Sequence, residues 1–316
     1  MHQQSQSMEN QSSKSLTFRH ISKAADEIVQ YVDERRKGLT KSLKTKWDKL
    51  NNVTMGGIEP NAVYSIAGIS GSGKSSFVNS LETDLFDINP EIDFAVLSFS
   101  LEMLSSKQVG RKISSKLNKT TSQLYSAKES LNDHDFKLLK NTANGIKKYD
   151  IYYVDSAGTI DEISNTINAF RKTLNEGTWL MVILDHTLLV KPNGGEDERK
   201  IISELQKLWI EQKKVGLTTI IQLSQMNRSI ESPERVKNAQ MHYPNRTDIF
   251  GSDAIYHASD YVLIIHRPEI IGIKEYGVQS LPSEGMVYIH IVKNRDGEVK
   301  ILQFKNELKF NRIQEP

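Results

Sequence analysis

The sequence predicts an α/β fold in which a largely parallel, twisted sheet is flanked by helices, with an amino-terminal helix before it and a carboxyl-terminal β-hairpin. The first observation is a phosphate-loop pattern, Gly68–Ser75, between a short apolar run and a helical pattern. The second is the alternation of apolar runs, typical of buried parallel strands, with segments of helical periodicity. The third is the dipeptide Asp296-Gly297 between the last two strand-like runs, a strong hairpin signal.

The strand-like runs are spaced along most of the chain. They lie at residues 62–67, 94–99, 151–155, 180–185, 218–223, 261–266, 286–292 and 299–304. Helical patterns separate the earlier runs, as the crossover connections of a parallel sheet require.

The phosphate loop has the sequence GISGSGKS, which fits the pattern G-x-x-x-x-G-K-[ST] without a substitution. Its glycines let backbone N–H groups face a phosphate, its lysine reaches the β and γ oxygens, and its last hydroxyl serves Mg²⁺. The alternative is a chance match, which the strand before it and the helix after it disfavour. We expect contacts to ATP from Gly68, Ser70, Gly71, Ser72, Gly73, Lys74, Ser75 and Ser76.

Two strand-like runs end in aspartate, at Asp155 and Asp185. A phosphate-loop enzyme needs a carboxylate on a strand beside the loop strand to hold the water of the Mg²⁺ ion. The longer apolar run leads into Asp185 and predicts the more central strand, so we assign Asp185 together with Ser75 to the metal. His186, which follows, is expected to be a structural hydrogen-bonding residue.

Glu102 follows the run 94–99 almost directly. Ligands bind at the carboxyl ends of strands in open α/β sheets, so Glu102 is a candidate base for the attacking water. The alternative is an acidic residue in the first turn of the next helix, where the helix dipole favours it. The position of Glu102 in the sequence does not by itself distinguish a catalytic base from a residue of the first helical turn.

Polar residues follow the run 218–223 at the same predicted edge. The Gln225 amide both donates and accepts hydrogen bonds, which suits a sensor of the γ-phosphate. The polar segment 228–248 predicts a mobile surface loop, either functional or simply solvated.

Lys293 and Arg295 flank one residue beside the Asp296-Gly297 turn, so we expect both to project from one face of an exposed tip. In a ring of subunits such a tip reaches the neighbour's nucleotide, where an arginine finger is worth about 10³–10⁵ in rate. The alternative is an ordinary charged hairpin end.

Composition limits the function classes. The 316 residues include 41 basic and 39 acidic side chains, for a net charge of +2, so any polyanion site must be local. The absence of cysteine excludes disulfides and thiolate zinc sites. No apolar run approaches the roughly 20 residues of a membrane span, and residues 1–15 lack the apolar stretch of a signal peptide. We therefore expect a cytoplasmic protein without a membrane partner.

The chain is expected to comprise a disordered tail at 1–20, a helix and basic linker at 21–50, and a catalytic domain at 51–316. The helix, at about 22–37, carries an apolar stripe. Its stripe would fold back on its own domain or dock on a neighbouring subunit.

The order of motifs resembles the RecA-like motor domain of the DnaB-type replicative DNA helicases. The resemblance covers about residue 22 to the carboxyl terminus. It rests on the phosphate loop, SLEM at 100–103, the strand ending at Asp185, LSQMNRS at 223–229 and KNR at 293–295. The SLEM and LSQ-x-NRS strings are specific to that family, whereas many NTPases share the phosphate loop.

The resemblance implies an ATP-dependent helicase motor that acts as a hexameric ring moving 5′ to 3′ on single-stranded DNA. It implies that Lys74 and Ser75 hold phosphate and Mg²⁺, that Glu102 is the base and that Asp185 is the Walker B carboxylate. It further implies that Gln225 senses the γ-phosphate, that Lys293 and Arg295 act in trans, and that the helix near 22–37 docks on the adjacent subunit.

Two features depart from the family. The large amino-terminal helical domain that helps to close the ring and contacts primase has no room here, which suggests a compact, phage-like form acting in a bacterial host cytoplasm. The resemblance itself implies a primase or a helicase loader as the protein partner. Three of the four residues of the Arg-Glu-Ser-Gly string that touches DNA are replaced, by Phe250, Gly251 and Asp253. Arg228, Lys191 and Lys237 are the DNA-contact candidates on charge and loop position alone.

Two other functions share this core. One is a RecA- or KaiC-like ATPase that works on DNA as a recombinase or a regulator. The other is a ring subunit that binds nucleotide without unwinding DNA.

Overall fold

The computed structural model of the protein describes residues 18–39, 42–192 and 194–316. The chain forms two units, Met1–Lys41 and Ser42–Pro316. Most of the predicted tail, residues 1–17, lies outside the described residues. The first unit contains helix α1, Ile21–Arg36, which agrees with the helix expected at about 22–37. It begins after His20, a ring nitrogen of which accepts the Ser22 N–H at 3.2 Å. None of the residues of α1 is buried.

The second unit alternates strands and helices. Its helices are α2 (Asp48–Val53), α3 (Lys74–Ile88), α4 (Ser105–Leu117), α5 (Thr121–Tyr125), α6 (Asp133–Ile146), α7 (Ile160–Arg171), α8 (Glu198–Gln212), α9 (Pro233–Lys237) and α10 (Ser252–Ala258). Its strands are β1 (Val63–Gly68), β2 (Phe94–Ser100), β3 (Ile151–Val154), β4 (Trp179–Asp185), β5 (Thr218–Gln225), β6 (Tyr261–His266), β7 (Glu275–Tyr276), β8 (Leu281–Pro282), β9 (Met286–Asn294), β10 (Lys300–Glu307) and β11 (Arg312–Gln314).

Within the described residues, nine strands form one sheet in the order β11-β10-β9-β6-β1-β5-β4-β2-β3. The six strands from β6 to β3 are parallel, and β9, β10 and β11 are antiparallel additions at one side. The predicted α/β class, the largely parallel sheet and the carboxyl-terminal hairpin are confirmed. One detail is wrong: β5 lies between the loop strand β1 and β4, so the strand that ends at Asp185 is not the immediate neighbour of the loop strand.

Helices cover both faces of the sheet. Successive strand residues point to opposite faces, so Tyr64 packs on the α2 and α3 side while Val63 packs on the α7 and α8 side. The parallel strands β1, β2 and β4 are buried along their whole length, which explains why they read as continuous apolar runs.

The compact unit begins earlier than the predicted boundary after residue 50. Leu43, Trp47 and Leu50 are at most 1% exposed and belong to the core around α3. Trp47 stacks on Phe77 with ring centroids 4.6 Å apart, and its indole N–H donates to the carbonyl oxygen of Ile313 at 3.2 Å. The many basic residues of this segment predicted a linker, although Leu43, Trp47 and Leu50 within it are core residues.

Strand β9 is irregular near its carboxyl end. Val262 pairs with Lys293, but the next residue, Leu263, pairs with Ile291, so Val292 is an extra residue on β9. Such a bulge changes the direction in which the following side chains point. It precedes Lys293 and Arg295 at the hairpin tip.

Candidate functional site

The phosphate loop joins β1 to α3, and its path depends on two glycines. A Cβ at Gly68 would lie 2.4 Å from Ser72 Oγ and 2.7 Å from the carbonyl oxygen of Ile265, so a larger residue does not fit. Gly73, before α3, has a φ of 104°, which side-chain-bearing residues rarely adopt. The loop therefore presents the free N–H groups at the start of α3 to the carboxyl edge of the sheet.

Most of the predicted phosphate-contacting residues surround one cavity of about 350 Å³. Those that line it are Ser70, Gly71, Gly73, Lys74, Ser75 and Ser76. Gly68 and Ser72 support the loop behind it. The buried Ser72 Oγ has no hydrogen-bond partner among the described residues. The donors and the shape of the loop fit a nucleotide phosphate.

Lys74 lies in the mouth of the loop. Its Nζ donates to the carbonyl oxygens of Gly68 and, at 3.0 Å, Ile69. Burial lowers the pKa of Lys74 to about 8, while the carboxylates of Asp185 and Glu102 favour the charged form. The only basic residue of the loop thus lies within the field of both predicted carboxylates.

Asp185 ends β4 opposite the first turn of α3. The hydroxyl of Ser75 donates to Asp185 Oδ2 at 3.4 Å. Burial and then the neighbouring Glu102 raise the pKa of Asp185 to about 6, and Lys74 and Ser75 act in the opposite direction. No group of three His, Asp or Glu side chains able to hold a metal occurs in the described parts of the chain. A hydroxyl and one carboxylate suit Mg²⁺ that takes its remaining ligands from phosphate and water.

Glu102 lies in the bend between β2 and α4, three residues before the helix begins. It is exposed and lines the same cavity as Lys74 and Asp185. The preceding residue, Leu101, donates its N–H to the carbonyl oxygen of Asp185 at 3.0 Å, which fixes the bend against the end of β4. Of the two open alternatives, the geometry favours a carboxylate facing the site over a first-turn helix residue.

Gln225 ends β5, between the strands that carry the phosphate loop and Asp185. Its side chain lines the cavity, and its carbonyl oxygen accepts the N–H of Phe250 at 3.0 Å. Asp155, the aspartate not chosen, lies elsewhere: its carboxylate accepts the N–H and the hydroxyl of Ser105 at 3.0 and 2.7 Å and so supports the start of α4.

Sequence reasoning missed several residues that line the cavity. They are Arg111, Arg267, Leu308 and Asn311. Burial lowers the pKa of Arg111, and Asp185 and Glu102 oppose this shift. Arg267 donates to the carbonyl oxygen of Gly71 at 3.3 Å. No sequence signal marks these residues, because the fold brings α4, the segment after β6 and the segment after β10 to the loop.

His186 also lines the cavity, but its role is local. Its Nδ1 accepts the Leu188 N–H at 3.3 Å, which caps the short turn after β4. Burial lowers the pKa of His186, so the neutral ring is favoured. This agrees with the expected structural role.

Lys293 and Arg295 lie far from this cavity in their own chain, at the amino ends of the parallel strands. Lys293 Nζ donates to the carbonyl oxygen of Tyr256 and lies 4.8 Å from the centroid of its ring. Arg295 pairs with Asp260, at the start of β6. The structure does not bring the two cations to the phosphate loop of the same chain.

The three DNA-contact candidates are all exposed, and none forms an ion pair with another described residue. Lys191 and Arg228 follow β4 and β5, at the edge of the sheet that carries the cavity, and Lys237 ends α9. The segment 228–248, in which the sequence predicted a surface loop, contains several short helical turns, including α9. Arg235 is only 12% exposed, pairs with Asp248 and donates to two backbone carbonyl oxygens. Arg235 is therefore structural.

No described helix is both long enough and apolar enough to cross a membrane.

The family model of the DnaB-like helicase C-terminal domain matches residues 42–315. The replicative DNA helicase DnaB of Buchnera aphidicola subsp. Schizaphis graminum is 24% identical over 287 residues, which are 89% of this chain and 57% of the relative. The DnaB of Buchnera aphidicola subsp. Acyrthosiphon pisum is 25% identical over 288 residues, 89% of this chain and 58% of the relative. The chain thus spans little more than half the length of these relatives.

Solved structures share the fold. An ATPase domain solved on its own superposes with a TM-score of 0.78 at 19% identity, over 92% of this chain and 98% of that one. A DnaB-like replicative helicase, from a structure that concerns its interactions with primase, gives a TM-score of 0.75 at 19% identity, over 92% and 66%. These likenesses confirm a RecA-like core. Because the family model covers most of the chain, the protein belongs to the family of the DnaB-like helicase C-terminal domain.

Proposed function

We propose that this chain is the ATP-hydrolysing motor of a replicative DNA helicase, assembled as a hexameric ring that moves 5′ to 3′ on single-stranded DNA. The observation that carries the proposal is the convergence of the phosphate loop, Asp185, Glu102 and Gln225 on one cavity in a member of the DnaB-like family. Each of these side chains comes from the end of a different parallel strand, where α/β proteins bind ligands.

Within this cavity the residues divide the work of phosphoryl transfer. The loop N–H groups and Lys74 bind the β- and γ-phosphates. Ser75 and, through water, Asp185 would hold Mg²⁺, which neutralises charge on the β and γ oxygens. Glu102 orients the attacking water and accepts its proton. Gln225, between the loop strand and β4, registers whether a γ-phosphate is present.

Arg111 adds a cation that the motif analysis did not supply. Its guanidinium lines the cavity and lies within the field of Asp185 and Glu102. It makes no hydrogen bond with another described residue. We assign it to the γ-phosphate from within the same subunit, where a fixed cation stabilises charge in the transition state.

The site is completed by the neighbouring subunit. Lys293 and Arg295 lie away from the cavity of their own chain, so their proposed target is the nucleotide of the adjacent copy. Helix α1, with apolar Ile28, Val29 and Val32 along one side, docks on that copy, and the motor itself begins at about Ser42. Hydrolysis then loosens one interface and moves one subunit against the next.

The proposed partners follow from the family. Single-stranded DNA passes through the ring and is bound through its phosphates, without base reading. Arg228, Lys191 and Lys237 are the proposed contacts. A DnaB-like relative has been solved in work on its interactions with primase, and we propose a primase or a helicase loader as the protein partner, in a bacterial cytoplasm.

Unwinding of forked DNA tests the proposal. With ATP and Mg²⁺, the protein should displace the strand of a fork that offers a 5′ single-stranded tail and fail on a substrate that offers only a 3′ tail. Lys74→Ala is the matched control, because it removes the phosphate contact. Strand exchange without unwinding would instead identify a recombinase, and nucleotide binding without turnover would identify a non-catalytic ring subunit.

Subunit mixing tests the shared site. Arg295→Ala subunits keep an intact phosphate loop, and Lys74→Ala subunits keep an intact hairpin tip. In a mixed ring, some interfaces combine the intact phosphate loop of one subunit with the intact hairpin tip of its neighbour. The ATPase rate of the mixture should therefore exceed that of either variant alone. No gain at any mixing ratio would contradict the shared site, whereas unwinding by a monomer would contradict the ring.

A further inference from the structure

Asp260 is the centre of a cluster of charges at the amino edge of the sheet. It is only 6% exposed. Its Oδ2 accepts the N–H of Val63 at 2.8 Å and Lys213 Nζ at 2.6 Å. Its Oδ1 accepts Lys213 Nζ at 2.9 Å and forms an ion pair with Arg295, whose Nε lies 3.0 Å away. Both oxygens are thus engaged by fixed donors.

Arg295 contacts Asp260 through both its backbone and its side chain. Its backbone N–H donates to the Asp260 carbonyl oxygen at 3.0 Å, and its Nε pairs with the carboxylate at the same distance. The Arg295 side chain nevertheless remains 52% exposed, and its Nη atoms have no hydrogen-bond partner among the described residues. The Nε edge of the guanidinium therefore faces Asp260, while the outer edge, which can bind a phosphate through two parallel hydrogen bonds, is free.

Lys213 changes the electrostatics of this pair. A single carboxylate shared between two cations leaves the cluster with a net positive charge, and Lys293 nearby adds a further one. Burial lowers the pKa of Lys293, Arg295 and Lys213 lower it further, and Asp260 opposes these shifts. Without Lys213, Asp260 would neutralise much of the charge of Arg295.

We propose that Asp260 is the positioning residue of the trans-acting Arg295, and that Lys213 keeps this cluster positive towards the γ-phosphate of the neighbouring subunit. The inference rests on the proposed function, because Arg295 must act at that nucleotide. A long side chain that is already held in place before ATP binds loses less conformational entropy when it contacts the γ-phosphate. The entropy saved in this way corresponds to about 2- to 10-fold in rate.

The experiment compares steady-state ATPase kinetics of assembled rings on single-stranded DNA. Asp260→Asn keeps an oxygen for the Val63 N–H but loses the charge that orients Arg295. We expect kcat to fall about 10-fold, with the KM for ATP and the affinity for a fluorescent ADP analogue changing less than about 2-fold. Asp296→Asn is the matched control, since it removes the same charge one residue from Arg295; its kcat should stay within about 2-fold of wild type.

A double-mutant cycle separates positioning from general stability. If Asp260 acts through Arg295, adding Asp260→Asn to Arg295→Ala should cause no further loss of kcat. Multiplied losses, or a KM for ATP that rises with the fall in kcat, would overturn the positioning role. Lys213→Met should also lower kcat, and a wild-type rate would overturn the role of Lys213. A wild-type rate for Arg295→Ala would instead overturn the shared site itself.

Asp260→Asn leaves the ammonium of Lys213, which is 13% exposed, without its charged partner. If thermal melting shows that this variant does not fold, the combined variant Asp260→Asn with Lys213→Met removes both charges and carries the same test. We expect it to show the same fall in kcat, and a wild-type kcat for the combined variant would overturn the proposal.

Discussion

Lys112 on α4 forms a buried ion pair with Glu82 on α3, with side-chain exposures of 1% and 4%. Lys112 Nζ also donates to Asn79 Oδ1 at 3.1 Å, and Glu82 Oε1 accepts the hydroxyl of Ser98, on β2, at 2.7 Å. The network therefore joins the helix of the phosphate loop, the strand before Glu102 and the helix that carries Arg111. It holds the elements of the proposed catalytic site in one arrangement.

Breaking this pair on one side should be costly. Lys112→Met leaves a buried carboxylate without its cation, and we expect the free energy of unfolding to fall by about 3–5 kcal/mol. Glu82→Gln should act in the same direction. The double variant Lys112→Met with Glu82→Leu removes both charges and should recover most of the loss. Urea denaturation followed by circular dichroism measures all three, and a double variant less stable than either single one would contradict this account.

Glu102 should be required for the chemical step and not for binding. Glu102→Gln keeps the shape and removes the base, so we expect single-turnover hydrolysis to slow by about 10²–10⁴, the usual contribution of a general base. Nucleotide affinity should change little, because Lys74 and the loop N–H groups are retained. Asp155→Asn, which alters a carboxylate that supports α4 from outside the cavity, is the control. Equal rates for Glu102→Gln and wild type would remove Glu102 as the base.

The parts of the site that follow strands could be predicted from the sequence. Glu102, Asp185 and Gln225 each come at the end of an apolar run, and parallel strands bring their carboxyl ends to one edge. Periodicity located these runs, and the phosphate loop supplied the reference point. Strand order is set by crossover connections, which the pattern does not encode, so the position of β5 was missed.

Residues that act through tertiary contacts could not be predicted. Arg111 and Arg235 lie in polar stretches of sequence without a motif, yet the first lines the cavity and the second is largely covered and pairs with Asp248. Asp260 has no motif around it, and only the meeting of β1, β6, the segment after α8 and the hairpin tip gives its carboxylate three hydrogen bonds and an ion pair. Burial, which decides these roles, is a property of the fold and not of local composition.

A pair of buried histidines should make stability depend on pH. Tyr276 OH contacts His266 Nδ1 at 2.8 Å and His290 Nε2 at 2.7 Å, and burial lowers the pKa of both rings to about 3. In the unfolded chain imidazole titrates near 6.5, so between about pH 6.5 and 3 the unfolded state binds more protons. Stability should therefore be fully present above pH 6.5 and fall as the pH is lowered through this window.

The pH effect can be assigned by substitution. Each such histidine contributes a slope of up to about 1.4 kcal/mol per pH unit. His290→Gln should lower the free energy of unfolding at pH 7.5, but its further loss between pH 6.5 and 5.5 should be about 1 kcal/mol smaller than that of wild type. His134→Gln, at an exposed histidine, should keep the wild-type slope. Identical slopes for all three proteins would show that His290 titrates normally.

DNA binding should depend on salt through the exposed cations near the carboxyl edge. For single strands, log K falls by about 0.7 per unit of log salt concentration for every phosphate neutralised. Lys191→Ala, Arg228→Ala and Lys237→Ala should each weaken binding at low salt and reduce this slope by about 0.7. Binding is measured by fluorescence anisotropy of a labelled oligonucleotide with a non-hydrolysable ATP analogue. Lys172→Ala, at the end of α7 near the opposite edge, removes an exposed charge of the same kind and should keep the wild-type slope. A triple variant with that slope would show that DNA contacts other residues.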